Sequence, residues 1–167
     1  MNRLKIRLFS CLVGAVLIAL LLAPAVAQAA AWTVVSSPSP GSVNDLNGVA
    51  SVSANDVWAV GDTNQQTLTE HWNGTAWSAV ASPNASSNDA LLGVAAVSTT
   101  DVWAVGKVNT ATPPLIEHWN GTSWRLVKAP RQAGFLNGVT AVSATDVWAV
   151  GFFNAGFFNQ TLTEFNP

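Results

Sequence analysis

The residues with the most chemistry in them are two adjacent pairs, Glu70-His71 and Glu117-His118, and three aspartates, Asp56, Asp101 and Asp146. A carboxylate beside an imidazole suggests general acid–base work or metal ligation. Adjacent residues on a strand point to opposite faces, however, so neither pair can act on one atom. A third copy of the segment reads Glu164-Phe165, which makes the histidine dispensable. The reading that follows is structural: Glu70, Glu117 and Glu164 form a ring of hydrogen bonds between neighbouring repeats. Each aspartate follows a serine (Ser53, Ser98, Ser143) by three positions. That spacing fits a tight turn in which both side chains accept backbone N–H groups. A metal needs several converging carboxylates, and these come one per repeat, so no metal site is expected.

Other catalytic sets are missing from the chain. There is no Ser/His/Asp constellation and no His-Glu-x-x-His, and no cofactor is expected. A glycosidase needs only two carboxylates at a defined separation, so that reaction stays open. Asn73-Gly74-Thr75, Asn84-Ala85-Ser86, Asn120-Gly121-Thr122 and Asn159-Gln160-Thr161 match the glycosylation sequon. Turn chemistry alone accounts for the first and third.

These residues are positioned by a repeat. The hexapeptide Asp-Val-Trp-Ala-Val-Gly stands at 56–61, 101–106 and 146–151, a spacing of 45 residues each time. A fixed period of this length marks an array of one supersecondary unit. Within a unit, Leu46 to Ser53 suits a packed strand. Val57 to Val60 is apolar at consecutive positions, as in a strand buried on both faces. Thr67 to Trp72 alternates, and Asn73-Gly74 predicts a type I′ hairpin turn with positive φ at both residues. Trp77 to Val80 is the fourth strand. The second unit repeats the scheme to Trp124-Arg125-Leu126-Val127, and the third reaches Glu164 without a fourth strand. Trp32-Thr33-Val34-Val35 has the type of that missing strand. The expected fold is therefore all-β: β-propeller-type, four-stranded antiparallel blades near 46–83, 91–130 and 136–167. The N-terminal strand 32–35 would complete the last of three blades. Trp58, Trp103 and Trp148 are expected in the core, each indole N–H with an acceptor.

The pattern Val-Ser-x-x-Asp-Val-Trp-Ala-Val-Gly, followed by Glu-His-Trp-Asn-Gly-Thr-x-Trp, resembles secreted bacterial propeller repeats of the BNR (Asp-box) and kelch-like kind over 32–167. The Asn-Gly-Thr-x-Trp turn lacks the Ser-x-Asp lead of an Asp-box, and the double glycine of kelch is missing. Sialidases of the Asp-box kind need a Tyr nucleophile and an Arg cluster. This chain has no Tyr, and beyond its leader only Arg125 and Arg131. Oxidases of the galactose-oxidase kind use Tyr and Cys at copper, and neither remains once Cys11 is removed. The resemblance implies a bacterial host, in which glycosylation of the sequons is not expected.

The first 29 residues read as a Sec-type signal peptide. Arg3, Lys5 and Arg7 precede the apolar run from Leu8 to Leu22, and Ala27-Gln28-Ala29 is a small-x-small cleavage site. Cleavage would leave residues 30–167, secreted, without a cysteine and without membrane attachment. Four basic residues then face nine acidic ones. No basic run is left to neutralise phosphates, so nucleic acid is not an expected partner. Charged residues make up 10% of the chain, against about 25% in an ordinary domain, and eight tryptophans point to a packed β structure.

Three blades are few for a propeller. Two chains joining as a homodimer with six blades, a piece of a longer array, and a lone three-blade ring all stay open. The loops that vary between units, 62–66, 107–113 and 152–160 together with 36–44, 83–89 and 130–135, are where a ligand would bind. Candidate contacts are Lys107, Asn109, Arg131, Phe152, Phe153, Phe157 and Phe158, the four phenylalanines as an apolar loop patch. The expected function is a secreted, non-catalytic binding module for a glycan or a protein. The alternatives are a carboxylate-based polysaccharide hydrolase or lyase, and a truncated array without its own function.

Overall fold

The computed structural model describes residues 31–109, 113–129, 134–156 and 158–166. The expected leader, Arg131 and Phe157 lie outside them. The chain divides into two compact units, 1–34 and 35–167. In the first, the described residues 31–34 are exposed and form no strand.

Among the described residues the second unit holds eleven strands. The first blade is β1 (Asn44–Ser53), β2 (Asp56–Thr63), β3 (Gln66–Trp72) and β4 (Trp77–Val80). The second is β5 (Ala90–Ser98), β6 (Asp101–Lys107), β7 (Leu115–Trp119) and β8 (Trp124–Leu126). The third is β9 (Phe135–Ser143), β10 (Asp146–Asn154) and β11 (Asn159–Asn166). All pairings are antiparallel between neighbours in sequence, so each sheet is an up-and-down meander. The all-β blade architecture stands as the repeat predicted it.

The last blade departs from expectation. Its sheet has three strands, and residues 31–40 form none. In the other blades the fourth strand follows the third through a short Asn-Gly turn. Residues 32–35 have no such local route to β11, and pairing there within one chain would need the array to close on itself. Instead β1 packs on β5 and β5 on β9, with the second blade in the middle.

Two local features explain the repeated motifs. The glycine ending each hexapeptide is fixed by a close backbone approach: a Cβ on Gly61, Gly106 or Gly151 would fall on the carbonyl oxygen of Asp45, Ala90 or Phe135. The Asn-Gly hairpin is present, but it is not type I′. Gly74 (φ +91°) and Gly121 (φ +90°) have positive φ, whereas Asn73 and Asn120 do not. Each asparagine instead uses its side chain. Asn73 Oδ1 accepts the N–H of Thr75 and Ala76, and Asn120 Oδ1 that of Thr122 and Ser123, all at 3.0 Å.

The main core lies between the first and second blades: Trp58, Val60, Leu91, Val94, Val102, Ala104, Val108, Leu115 and Trp124. Trp58 meets Trp119 at 4.9 Å and the edge of Trp124 at 5.3 Å between ring centroids. A smaller cluster of Val105, Leu136 and Ala149 joins the second blade to the third.

Candidate functional site

The paired residues singled out by type build a structural unit. At the first hexapeptide, His71 Nε2–H donates to Asp56 Oδ1 at 2.8 Å, and its ring stacks on Trp58 at 4.5 Å. The second repeats this with His118, Asp101 (2.8 Å) and Trp103 (4.3 Å). Asp56 and Asp101 therefore tie two strands together rather than shaping the turn. The turn falls to the serines, with Ser53, Ser98 and Ser143 Oγ accepting the N–H two residues on. In the third blade Phe165 takes the place of His and stacks on Trp148 at 4.5 Å. Asp146, left without an imidazole, accepts the Trp148 indole N–H at 2.9 Å. Sequence reading missed this Asp–His–Trp stack. The signal was available in the shared loss, since Phe165 marks the one repeat without His.

Trp58 and Trp103 are buried, as expected of a core residue, but their indole N–H groups find no acceptor among the described residues. Trp148 is not in the core and is 44% exposed.

The expected hydrogen bonds between repeats through Glu70, Glu117 and Glu164 are not made at full hydrogen-bond geometry, although the Ser37 and Ser82 hydroxyls lie close enough to Glu70 and Glu117 to favour their charged forms. Their carboxyl oxygens are buried with no hydrogen-bond partner among the described residues. Burial pushes the Glu117 carboxyl up to about 8, helped by the nearby Asp89 carboxylate and opposed by the Ser82 hydroxyl. That hydroxyl makes its own hydrogen bond to Thr67 Oγ1 at 2.7 Å. Burial also raises Glu70, with Ser37 opposing it, and Glu164, where nothing opposes it. In the repeat Ala129 stands where Ser37 and Ser82 stand, so the third glutamate has no hydroxyl to meet. Burial between the blades thus holds Glu117 toward its neutral form. Among the described residues no group of three or more His, Cys, Asp or Glu is placed to hold a metal ion.

The variable loops gather on one side of the first two blades. Asn64 N–H donates to Val43 O at 3.0 Å, Asp89 N–H to Gln65 O at 2.9 Å, and Thr67 N–H to Asn84 Oδ1 at 2.8 Å. The β2–β3 turn is thereby tied to both connections that flank its blade. Beside them is a cleft of about 310 Å³ lined by Ala85, Ser86, Val108, Pro113, Pro114 and Lys128, among others. Lys107 is exposed at the end of β6, next to this cleft in the chain, as is Asn109. Two of the four phenylalanines expected in a loop lie in a strand. Phe152 and Phe153 belong to β10, opposite Thr161 and Gln160, and the Phe152 ring packs on Phe135 at 5.1 Å. Pairing extends β10 and β11 to a short turn at Ala155–Phe158, where Gly156 takes φ +95° and Phe158 is exposed.

A second cavity, about 200 Å³, opens between the second and third blades. Trp103, Val105, Ile116, Val147, Glu164 and Asn166 are among its walls. Among the described residues that line it, Glu164 is the one carboxylate.

No protein-family profile matches the sequence, and no curated protein matches it. Among solved structures it is similar to that of YCF48 bound to D1 peptide, with a TM-score of 0.51 and 19% identity. The match covers 70% of this chain and 39% of that one, so the chain spans about two-fifths of the other's length. At this identity the likeness is one of fold, and that fold is the β-propeller.

Proposed function

We propose that this chain is half of a secreted, non-catalytic β-propeller interaction module. Two copies join head to tail into a six-blade ring, and its loop-bearing side holds a protein or glycan ligand. One observation carries the assembly. Trp58 and Trp148 occupy the same position of the same repeat, yet Trp58 is 2% exposed and Trp148 44%. The difference is the next blade, which covers the first tryptophan; none of the described residues covers the other in the same way. At the opposite end, Leu46 and Val49 of β1 are exposed, although β5 at the same positions is packed. The third blade therefore offers the face that the first blade is built to cover.

For the ligand, the Pro113–Pro114 cleft on the loop side, with Lys107 next to it in the chain, is the candidate surface. The peptide held by the YCF48 propeller makes a peptide the first class to try. The leader and the likeness to secreted bacterial BNR and kelch-like repeats support export. Sedimentation equilibrium of the exported chain tests the assembly: a dimer is expected, and a monomer at high micromolar concentration would end this reading. N-terminal sequencing tests export, with Ala30 expected first. Peptide and glycan arrays probed with the dimer test the ligand, and loss of a hit on Lys107→Glu would place it at the cleft.

A further inference from the structure

Charge is segregated along this chain. Beyond the leader its basic residues are Lys107, Arg125, Lys128 and Arg131, all within 107–131. The one acid in that stretch is Glu117, which is buried. Residues 30–106 hold Asp45, Asp56, Asp62, Glu70, Asp89 and Asp101 and no Lys or Arg. The repeat does not require this. By the hexapeptide period, Lys107 stands where the first blade has Asp62. Arg125 pairs with His118 as Ser78 pairs with His71, so Lys128, three residues on, stands where the first blade has Ala81. Lys107, Arg125 and Lys128 are all exposed, so the charge that residues 107–129 turn outward is positive.

The same stretch builds the cleft. The first blade joins β2 to β3 through Asn64 and Gln65 alone, whereas the second joins β6 to β7 through 108–114, ending in Pro113-Pro114. Pairing of β7 with β8 runs past Glu117↔Leu126 to the Val127 N–H, which donates to Ile116 O at 2.9 Å. In that register Lys128 falls level with Leu115 and Ala129 with Pro114. A proline has no N–H to give, so the ladder stops there and the space beside it stays open. The cleft of about 310 Å³ occupies that space. Val108, Leu115, Leu126 and Val127 are among its apolar walls, and Lys128 is the one charged side chain among the described residues that line it.

We infer that this cleft takes a peptide in which apolar side chains are flanked by aspartate or glutamate. The inference rests on the interaction-module reading above and names what its cleft selects. The apolar side chains of the ligand lie against Val108, Leu126 and Val127, and a carboxylate meets Lys128 at the rim. Arg125, on the same strand as Leu126, and Lys107, next to Val108 in the chain, add to the attraction. A basic peptide would meet like charge. A phosphate or uronate polymer would match the charge but leave the apolar wall in water. Asp45 and Asp62 on the first blade repel an acidic ligand, so the field of the molecule steers it to the second.

The test selects peptides from a random phage-displayed library on the exported chain, then measures a synthetic copy of the strongest by fluorescence anisotropy. Selected peptides are expected to carry Asp or Glu beside Leu, Ile, Val or Phe. Lys128→Glu is expected to weaken the copy about tenfold or more and to reduce its salt dependence. Leu126→Ser is expected to weaken it less and to leave the salt dependence unchanged. Both side chains are exposed, so both variants are expected to fold, which circular dichroism checks. Neutral or basic peptides, weakened by Leu126→Ser alone, would overturn the acidic preference and leave the cleft as a peptide site. Acidic peptides indifferent to both variants would overturn the site. A library that yields no peptide would overturn the inference outright. Polygalacturonate bound through Lys128 would then keep the module reading with another ligand, and a blank there and on the glycan array would remove that reading too.

Discussion

The junction between the first two blades and the bare face of the third are built from the same residues and differ in what they do. At the first, Trp58 and Val60 are buried; at the second, Trp148 and Val150 are exposed. Asn47 stands at a bulge in β1 and donates across to Leu91 O at 2.9 Å, whereas Asn137, at the same bulge in β9, is exposed. A Cβ on Gly48 would lie 3.2 Å from Gly93 Cα, and one on Gly93 3.2 Å from Gly138 Cα, while one on Gly138 meets only a Val150 methyl of its own blade at 3.5 Å. The contrast shows that burial here belongs to the contact between repeats, not to the hexapeptide. Stability in such arrays is a sum over repeats and nearest-neighbour interfaces, and the described residues supply no such interface over Trp148 and Val150.

The largest effect expected along this contrast is electrostatic. Glu117 sits in the covered junction with its carboxyl held to about 8, against 4.5 for the free group. Below pH 4.5 folded and unfolded chains are both protonated there, and the residue costs nothing. As pH rises to 8 the unfolded chain ionises while the folded one keeps its proton, so stability falls across that window. The loss is up to about 5 kcal/mol by linkage. Glu117→Gln is expected to flatten urea-melt stability between pH 5 and 8 and to stabilise most at the alkaline end. Glu164→Gln, on the part-covered blade, is expected to change the slope less. Equal slopes would mean the two environments do not differ.

Next in size is the tryptophan pair. Trp58→Ala removes a side chain packed on His71, Trp119 and Trp124 and is expected to cost about 3–5 kcal/mol. Trp148→Ala, at the same repeat position, is expected to cost the isolated chain about 1 kcal/mol and to show its main effect on association. Denaturation at submicromolar and high concentration separates the two. A concentration-independent loss of equal size in both variants would erase the distinction between covered and bare faces.

The glycine column tests the same idea by addition. Gly93→Ala pushes a methyl against Asn137 O and the Gly138 backbone, with an expected cost of about 1–3 kcal/mol. Gly138→Ala has room, and its melting curve is expected to stay within about 0.5 kcal/mol while dimer formation is blocked by the incoming Gly48. An unaffected dimer in Gly138→Ala would mean that the faces do not meet as the internal junctions do.

Much of this was legible in the sequence because each motif is local. A run such as Val57 to Val60 reads as a buried strand wherever it stands, and Asn73-Gly74 reads as a hairpin although the asparagine works through its side chain. Burial of Trp148 was misjudged because exposure depends on a neighbour that periodicity cannot supply. Phe152 and Phe153 looked like loop residues because Gly151 and Gly156 bracket them, yet cross-strand pairing carried β10 through to Asn154. The Asp–His link was hidden by distance: His71 lies 15 residues from Asp56, and only the hairpin register sets Trp58 opposite His71. The candidate site was least legible, since Lys107 and the Pro113–Pro114 cleft depend on how two loops meet.

The smallest expected effect asks whether the third blade can be made like the others from within. Phe165→His restores the residue that pairs with aspartate in the first two blades. Trp148 and Phe165 stand opposite each other in the sheet, as Trp58 and His71 do, so the new imidazole falls within reach of Asp146. Asp146 then exchanges its bond to the Trp148 indole for one to the histidine, and the indole N–H turns to water at this exposed site. One hydrogen bond replaces another, so stability is expected to move by no more than about 1 kcal/mol. The informative readout is the Trp148 indole N–H resonance, which should lose its hydrogen-bonded shift and exchange faster with solvent. If it stays protected, Asp146 prefers the indole even when an imidazole is offered. The Asp–His link of the covered blades would then be a product of their packing, not of the residue pair.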